Sequence, residues 1–228
     1  MDILDFIFPK RCILCKRGGS YLCENCFLKL SFDAKSLCLI CNKPSYNNLT
    51  HPICLTKNSI DGCFSALSYN KTAQKLIYSF KYKPYLTDLK NVLGDLFYES
   101  IIQNENFNNE LKKGNWIFVP LPLFLSKLKK RGYNQSEILG KVLSKKFNFK
   151  TINILKRTRD TKTQVGLSNI DRKLNIKDAF QIQNSEFKLQ NVFLVDDDVT
   201  TGSTLKEAAK ILKKNGAKRV IGLTLARD

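Results

Sequence analysis

Seven of the eight cysteines and the only histidine fall between residues 12 and 54, as four pairs at x-x spacing. They are "CILC" (Cys12, Cys15), "CENC" (Cys23, Cys26), "CLIC" (Cys38, Cys41) and "HPIC" (His51, Cys54). Two ligands at that spacing converge from one tight turn onto a tetrahedral ion, and two such turns close a structural zinc site. Four pairs therefore predict two sites, about two zinc ions per chain. A disulfide framework competes with this reading, but disulfides show no preference for repeated x-x spacing. The start "MDILDFIFPKRC" also has acids where a secretory signal carries positive charge, and Asp5 and Pro9 break its apolar run. The chain is accordingly read as cytoplasmic, where free thiols stay reduced. Short gaps favour a sequential scheme, with Cys12, Cys15, Cys23 and Cys26 on one ion and Cys38, Cys41, His51 and Cys54 on the other; a crossed scheme would interleave them. Four protein ligands per ion leave no open position, so both sites are expected to be structural. Cys63 lacks an x-x partner and is expected to be a buried strand residue.

A chain of 228 residues accommodates one domain and a small appendage. The cysteine pattern places the boundary after residue 58, giving a zinc-ribbon domain over 1–58 and a second domain over 59–228. The second part alternates apolar strands with helical patterns, which predicts an α/β fold with a mostly parallel sheet flanked by helices. "FSALSY" reads as a strand, 72–80 and 86–102 as helices, "NENFNNELKKGN" as a loop, and "WIFVPLP" as a buried strand stopping at Pro120. A helix follows over about 134–146. The polar run "KRTRDTKTQVGLSNIDRKLN" has little periodicity and reads as a structureless functional lid. No apolar run approaches the roughly 20 residues that span a bilayer.

The net charge of +18 points to an anionic partner: nucleic acid, a phosphorylated ligand or an anionic membrane surface. Residues 127–159 hold eleven Lys or Arg against one acid, Glu137. Such a region suits pyrophosphate, single-stranded nucleic acid or both, and Tyr82 and Tyr133 beside it are candidates for stacking bases.

The stretch "VFLVDDDVTTGSTL" then defines a ligand site. "VFLV" reads as a buried central strand, and "STLKEAAKILKKNG" as a helix with Leu205, Ala208, Ala209 and Leu212 on one face and Gly216 as its stop. The loop between them lies at the carboxyl end of the strand, where open α/β sheets bind ligands. Thr200, Thr201, Gly202, Ser203 and Thr204 bring hydroxyls and amides to a helix N-terminus, which suits a phosphate. Asp196 and Asp197 would repel a phosphate and suit sugar hydroxyls or a metal ion beside it. A phosphorylated sugar satisfies both halves.

This motif resembles the phosphoribosyl-pyrophosphate signature of the type I phosphoribosyltransferases. With "FVPLPLFLSKLKKRGYNQSEIL", "RTRDTKTQVGLSNIDRKLNIKDAF", "THPIC" and "FKY", the whole chain resembles the ComF family, in which a double zinc ribbon precedes a phosphoribosyltransferase-like domain. The resemblance implies that Asp196 and Asp197 bind the ribose hydroxyls and that residues 200–204 bind the 5′-phosphate. It implies a pyrophosphate loop at Pro120, Leu121 and Pro122, with positive charge from Lys129, Lys130 or Arg131. It implies Mg²⁺ with the pyrophosphate, a mobile lid containing Gln164, and Asp196, Asp197, Arg131 and Gln164 as catalytic residues of any transfer. It further implies a role in natural transformation, handling single-stranded DNA alongside other DNA-uptake proteins at the inner membrane. Lys81 is a weaker candidate, equally explained as an exposed helix-end lysine. Asp198 departs from the family, which usually has an apolar residue there, and its role is left open.

Overall fold

The computed structural model describes residues 9–83, 86, 88–160, 175–183 and 191–228. The first part is built from two like knuckles. In each, a short antiparallel bridge, Arg11 with Gly18 and Leu37 with Pro44, encloses one Cys-x-x-Cys turn. The two turns make matching hydrogen bonds, Lys16 N to Cys12 O (2.9 Å) and Asn42 N to Cys38 O (2.8 Å). Both turn-closing residues are left-handed, with φ 67° at Lys16 and 58° at Asn42. Of the remaining ligands, Cys23 caps and Cys26 lies within a one-turn helix, α1 (Glu24–Phe27), while His51 caps and Cys54 ends a 3₁₀ turn over Pro52–Cys54.

The rest is the parallel α/β arrangement expected from the sequence. In chain order come β1 (Gly62–Ser68), α2 (Lys71–Tyr82), α3 (Leu89–Ile102), α4 (Glu105–Leu111), β2 (Trp116–Pro120), α5 (Leu125–Arg131), α6 (Gln135–Phe147) and β3 (Lys150–Thr151). They are followed by β4 (Leu155–Arg157), β5 (Phe180–Ile182), β6 (Asn191–Val199), α7 (Ser203–Lys214) and β7 (Arg219–Arg227). The main sheet runs β1-β7-β6-β2-β3 with every pairing parallel, while β4 and β5 form a separate antiparallel pair. Period-two alternation along β6 feeds two cores. Phe193 and Val195 pack with residues of α2, α3 and α6, whereas Val192 and Leu194 pack with α7, with the β4/β5 pair and with Leu39 of the second knuckle. Cys63 is buried in β1, as expected.

Two stretches differ from the sequence reading. "NENFNNELKKGN", expected to be a loop, contains α4, capped by Asn104, whose side chain accepts from Phe107 N at 3.1 Å. Its periodicity is hidden because one ring does most of the anchoring. Phe107 is fully buried against Phe64, Phe147 and Phe193, at centroid distances of 5.4–5.6 Å. The other fully buried residue is an acid, Glu110, bonded by Arg219 Nε (2.8 Å) and Lys113 Nζ (2.6 Å). The polar run after residue 155 likewise begins as strand β4, which pairs with β5 through Arg157 and Phe180. Residues 161–174, and with them Gln164 and most of the expected lid, lie outside the described residues.

Topology fixes where a ligand can sit. From β2 the chain steps outward to β3, whereas from β6 it steps the other way to β7. The neighbours β2 and β6 therefore flank the point where strand order reverses, and a crevice opens at their carboxyl ends. There β2 stops at Pro120, paired with Val195, while β6 continues four residues further along β7.

Candidate functional site

The continuation of β6 carries the acids. The sequence placed the three aspartates in the turn after the strand; they belong to the strand itself, in register with β7 through Asp196–Thr224 and Asp198–Ala226. Strand geometry holds them more rigidly than a loop would. Asp196 Oδ1 accepts from Ser136 Oγ at the start of α6 and from the amide of Asp197, each at 3.0 Å. Asp197 and Asp198 both bind the ammonium of Lys81, which arrives from the last turn of α2. Lys81 is thus part of the site, and Asp198 is one of its two anchors.

The carboxylates perturb one another. Burial, followed by the charge of Asp198, raises Asp196 from 3.8 to about 6. Burial also raises Asp197 well above the usual carboxylate range despite Lys81. Burial opposes the charged form of Asp198 too, but a hydrogen bond from the Asp197 carboxyl and the Lys81 ammonium outweigh it and lower this group. Lys81 is held strongly protonated because its two acids overcome its own burial.

Beyond Val199 the chain turns through Thr200 and Thr201 to Gly202, left-handed at φ 67°, and enters α7. Thr201 Oγ1 and Ser203 Oγ are 2.9 Å apart across the turn. The start of α7 opens into the crevice, a natural anion position. Opposite stand the cations Lys127 and Arg131, one turn apart on α5, and Arg157 of β4. They share one cavity with Lys81, Tyr82, Leu123, residues 196–200 and residues 202–205. Arg131 is held by Gln135 Oε1 (2.6 Å), and its guanidinium lies 5.1 Å from the centre of the Tyr82 ring.

The structure therefore gathers Asp196, Asp197, Thr200, Gly202, Ser203, Thr204 and Arg131 around one space, whereas Thr201 does not line it and bonds to Ser203 and Lys206. Lys129 and Lys130 do not line it. Of the loop after β2, Pro120 ends the strand, Leu121 N donates to Val195 O at 2.9 Å, and Leu123 is the residue that lines the cavity. Sequence reasoning missed Lys127, Ser136 and Arg157. Tyr133 proves to be a packing residue, its hydroxyl bonded to the Phe80 carbonyl.

Running from the rim of the cavity, α2 presents a second feature. Lys71, Lys75, Tyr78 and Tyr82 share one helical stripe, with no acid between residues 71 and 83. Tyr78 and Tyr82 are 58% and 53% exposed, with ring centroids 4.8 Å apart. Lys16 of the first knuckle joins Lys75, Tyr78 and Lys83 around a shallow groove beside them.

The cysteine clusters follow the sequential scheme: Cys12, Cys15, Cys23 and Cys26 converge, as do Cys38, Cys41, His51 and Cys54, with ligand atoms of each set within 4.8 Å of one another. The donor chemistry fits zinc. Burial disfavours the Cys12 and Cys38 thiolates, yet amide hydrogen bonds from their own turns and from the facing ligands Cys23 and His51 outweigh it and lower them to about 6 and about 7. Burial and the neighbouring sulfurs push Cys26 up to about 12 and Cys54 up to about 11. Only a bound cation lets all the sulfurs of a cluster ionise together. His51 Nε2 donates to Pro44 O (2.9 Å), which fixes the ring so that Nδ1 faces Cys41 Sγ (3.3 Å) and is free to ligate.

Comparison with known proteins agrees with this geometry. Residues 3–55 match the double zinc ribbon domain and residues 129–228 the phosphoribosyl transferase domain. Over 219 residues the chain is 30% identical to the DNA utilization protein YhgH of Escherichia coli (strain K12), covering 93% of this chain and 94% of that protein. The chain belongs to the ComF family. It is also 24% identical over 231 residues to Competence protein ComFC of Bacillus subtilis (strain 168), covering 96% of this chain and 89% of that one. With Competence protein F of Haemophilus influenzae it is 43% identical over 112 residues, so this chain spans about half (49%) of that relative. Among the described residues no helix is long and apolar enough to cross a membrane.

Proposed function

We propose that this ComF-family chain binds phosphoribosyl pyrophosphate with Mg²⁺ at the end of β6 and acts in DNA utilization by handling single-stranded DNA. The observation that carries the ligand assignment is the divided cavity, with carboxylates and a hydroxyl-rich helix N-terminus on one side and Lys127, Arg131 and Arg157 on the other. In this reading Asp196 and Asp197 accept hydrogen bonds from the two ribose hydroxyls, and Lys81 is displaced toward the pyrophosphate as they engage. Residues 200–204 surround the 5′-phosphate. Lys127, Arg131 and Arg157 face the pyrophosphate, whose charge Mg²⁺ would share. The division into residues 1–58 and 59–228 belongs to the same reading.

The nucleic-acid half rests on the exposed tyrosine pair set among lysines on α2, since aromatic faces stack bases and lysines neutralise phosphates without regard to sequence. The names of the relatives, DNA utilization protein and competence protein, point the same way. A second reading, transfer of phosphoribosyl to a nucleobase, is favoured by the cations facing a departing pyrophosphate. It needs no covalent nucleophile, because the charges of the site stabilise the leaving group as the sugar carbon becomes cation-like.

One experiment separates the two. The zinc-loaded protein is incubated with phosphoribosyl pyrophosphate, Mg²⁺ and each nucleobase, and pyrophosphate release is measured beside the binding of a fluorescent single strand. Salt-sensitive strand binding that weakens about tenfold in Tyr78→Ala, with no turnover, supports the binding protein. Base-dependent pyrophosphate release supports the transferase. Strand binding indifferent to both salt and Tyr78 would refute the nucleic-acid surface.

A further inference from the structure

The loop assigned to the sugar's phosphate is gripped from outside by the second cysteine cluster. Leu39 is one of the two residues between the ligands Cys38 and Cys41, and it is 1% exposed. Its side chain packs on Gly202, so closely that a Cβ at Gly202 would stand 2.6 Å from Leu39 Cδ2. Its carbonyl accepts from Lys206 Nζ at 3.0 Å, and the same ammonium donates to the carbonyl of Thr201 at 2.8 Å. Just before the cluster, Leu37 O accepts from Arg227 Nη1 at 3.4 Å. One metal-ligating turn thus touches the glycine of the phosphate loop directly and its backbone through one shared cation. The first knuckle faces elsewhere, with Ile13, Leu14 and Lys16 lining the groove along α2.

A four-residue turn carrying two thiolates takes its shape from the ion that binds them. Gly202 is held in a left-handed conformation with Leu39 against it, so the shape of the metal turn sets the shape of the loop. We propose that Leu39 and Lys206 are positioning residues that link occupancy of the phosphate loop to zinc in the second cluster. The proposal rests on the reading that this loop takes a phosphate. Linkage is reciprocal: zinc in the second cluster tightens phosphoribosyl-pyrophosphate binding, and the ligand slows loss of that zinc. The second cluster is thereby a zinc-dependent control on the site.

The test uses the full-length, zinc-loaded protein and two readouts, calorimetric titration with phosphoribosyl pyrophosphate and Mg²⁺, and the rate of zinc transfer to a chromogenic chelator. Lys206→Met keeps the aliphatic stem and removes the bridge. Leu39→Ala removes the contact with Gly202. Lys210→Met removes the same charge one turn further along α7, where the lysine meets Glu207 instead. The proposal predicts that Lys206→Met and Leu39→Ala, each retaining two zinc ions, bind the ligand at least fivefold more weakly. Lys210→Met should bind within twofold of the parent. In the parent the ligand should slow release of one of the two zinc ions at least threefold, and in Lys206→Met that protection should shrink. Parent-like affinity in both loop variants, or a ligand that protects neither zinc ion, overturns the linkage while leaving the site assignment intact. A parent protein that binds no ligand overturns the site assignment and the linkage together.

Discussion

Replacing Asp196 by Asn should make the ligand-free protein more stable while weakening its hold on a sugar. Burial and the adjacent charge of Asp198 raise this carboxyl from 3.8 to about 6, so at neutral pH its ionised form opposes folding by about 3 kcal/mol, taking roughly 1.4 kcal/mol for each tenfold change in the ionisation constant. The side chain is partly exposed, and solvent screening reduces this to about 1–3 kcal/mol. Asn keeps an oxygen that can still accept from Ser136 Oγ and from the Asp197 amide. For a chain of this length the gain corresponds to a melting temperature higher by roughly 2–8 °C at pH 7. The sign with pH follows from the raised value. Between about 4 and about 6 the folded protein binds more protons than the unfolded chain, so parent stability falls as pH rises through that window. The advantage of the variant should therefore be full above pH 7, shrink through 6 and vanish below 4. Paired thermal melts of parent and variant report this difference, and zinc loss at acid pH affects both proteins alike. An advantage independent of pH, or a variant less stable at pH 7, would refute the electrostatic account of the site.

Other perturbations have equally definite outcomes. Lys81→Met leaves Asp197 and Asp198 without their common cation and should destabilise the protein at pH 7 by about 1–3 kcal/mol, a loss that recedes as acid protonates the carboxyls; denaturant melts at two pH values check it. Gly202→Ala combines a left-handed φ of 67° with a Cβ 2.6 Å from Leu39, and should lose about 1–3 kcal/mol together with most sugar-phosphate binding. Metal analysis should find about two zinc per chain. Removing them with a chelator should cost the N-terminal knuckles their hydrogen-exchange protection, whereas β6 and β7 stay protected.

Much of this molecule is written locally in the chain. Ligands with only two residues between them must share a turn, so the paired cysteines disclose both metal sites. The junction of "VFLV" with "TTGST" discloses a strand, a tight turn and a helix. What could not be read locally is whatever the tertiary fold brings in. Lys81 and Asp198 are 117 residues apart, and only the packing of α2 over the end of β6 makes them partners. Ser136 reaches Asp196 across 60 residues. Lys127 and Arg157 stood among eleven basic residues of which the resemblance favoured Lys129, Lys130 and Arg131, and the i, i+4 face of α5 and the short β4/β5 pair select them instead of Lys129 and Lys130. The helix α4 was hidden because its fully buried positions are one phenylalanine and one ion-paired glutamate, with only Leu111 packing beside them. The contact of Leu39 with Gly202 had no signal either, because a leucine inside a zinc turn looks like filler until the knuckle is seen against the loop.

The central claim is that the end of β6 holds a phosphorylated sugar by its hydroxyls and its phosphate at once. Calorimetric titration of the zinc-loaded protein with phosphoribosyl pyrophosphate and Mg²⁺, beside an Asp196→Ala/Asp197→Ala variant, tests it most directly. The account predicts saturable binding of one ligand per chain in the parent, and none in a variant that remains folded with both zinc ions. Undiminished binding by the variant, or none by the parent, would contradict it.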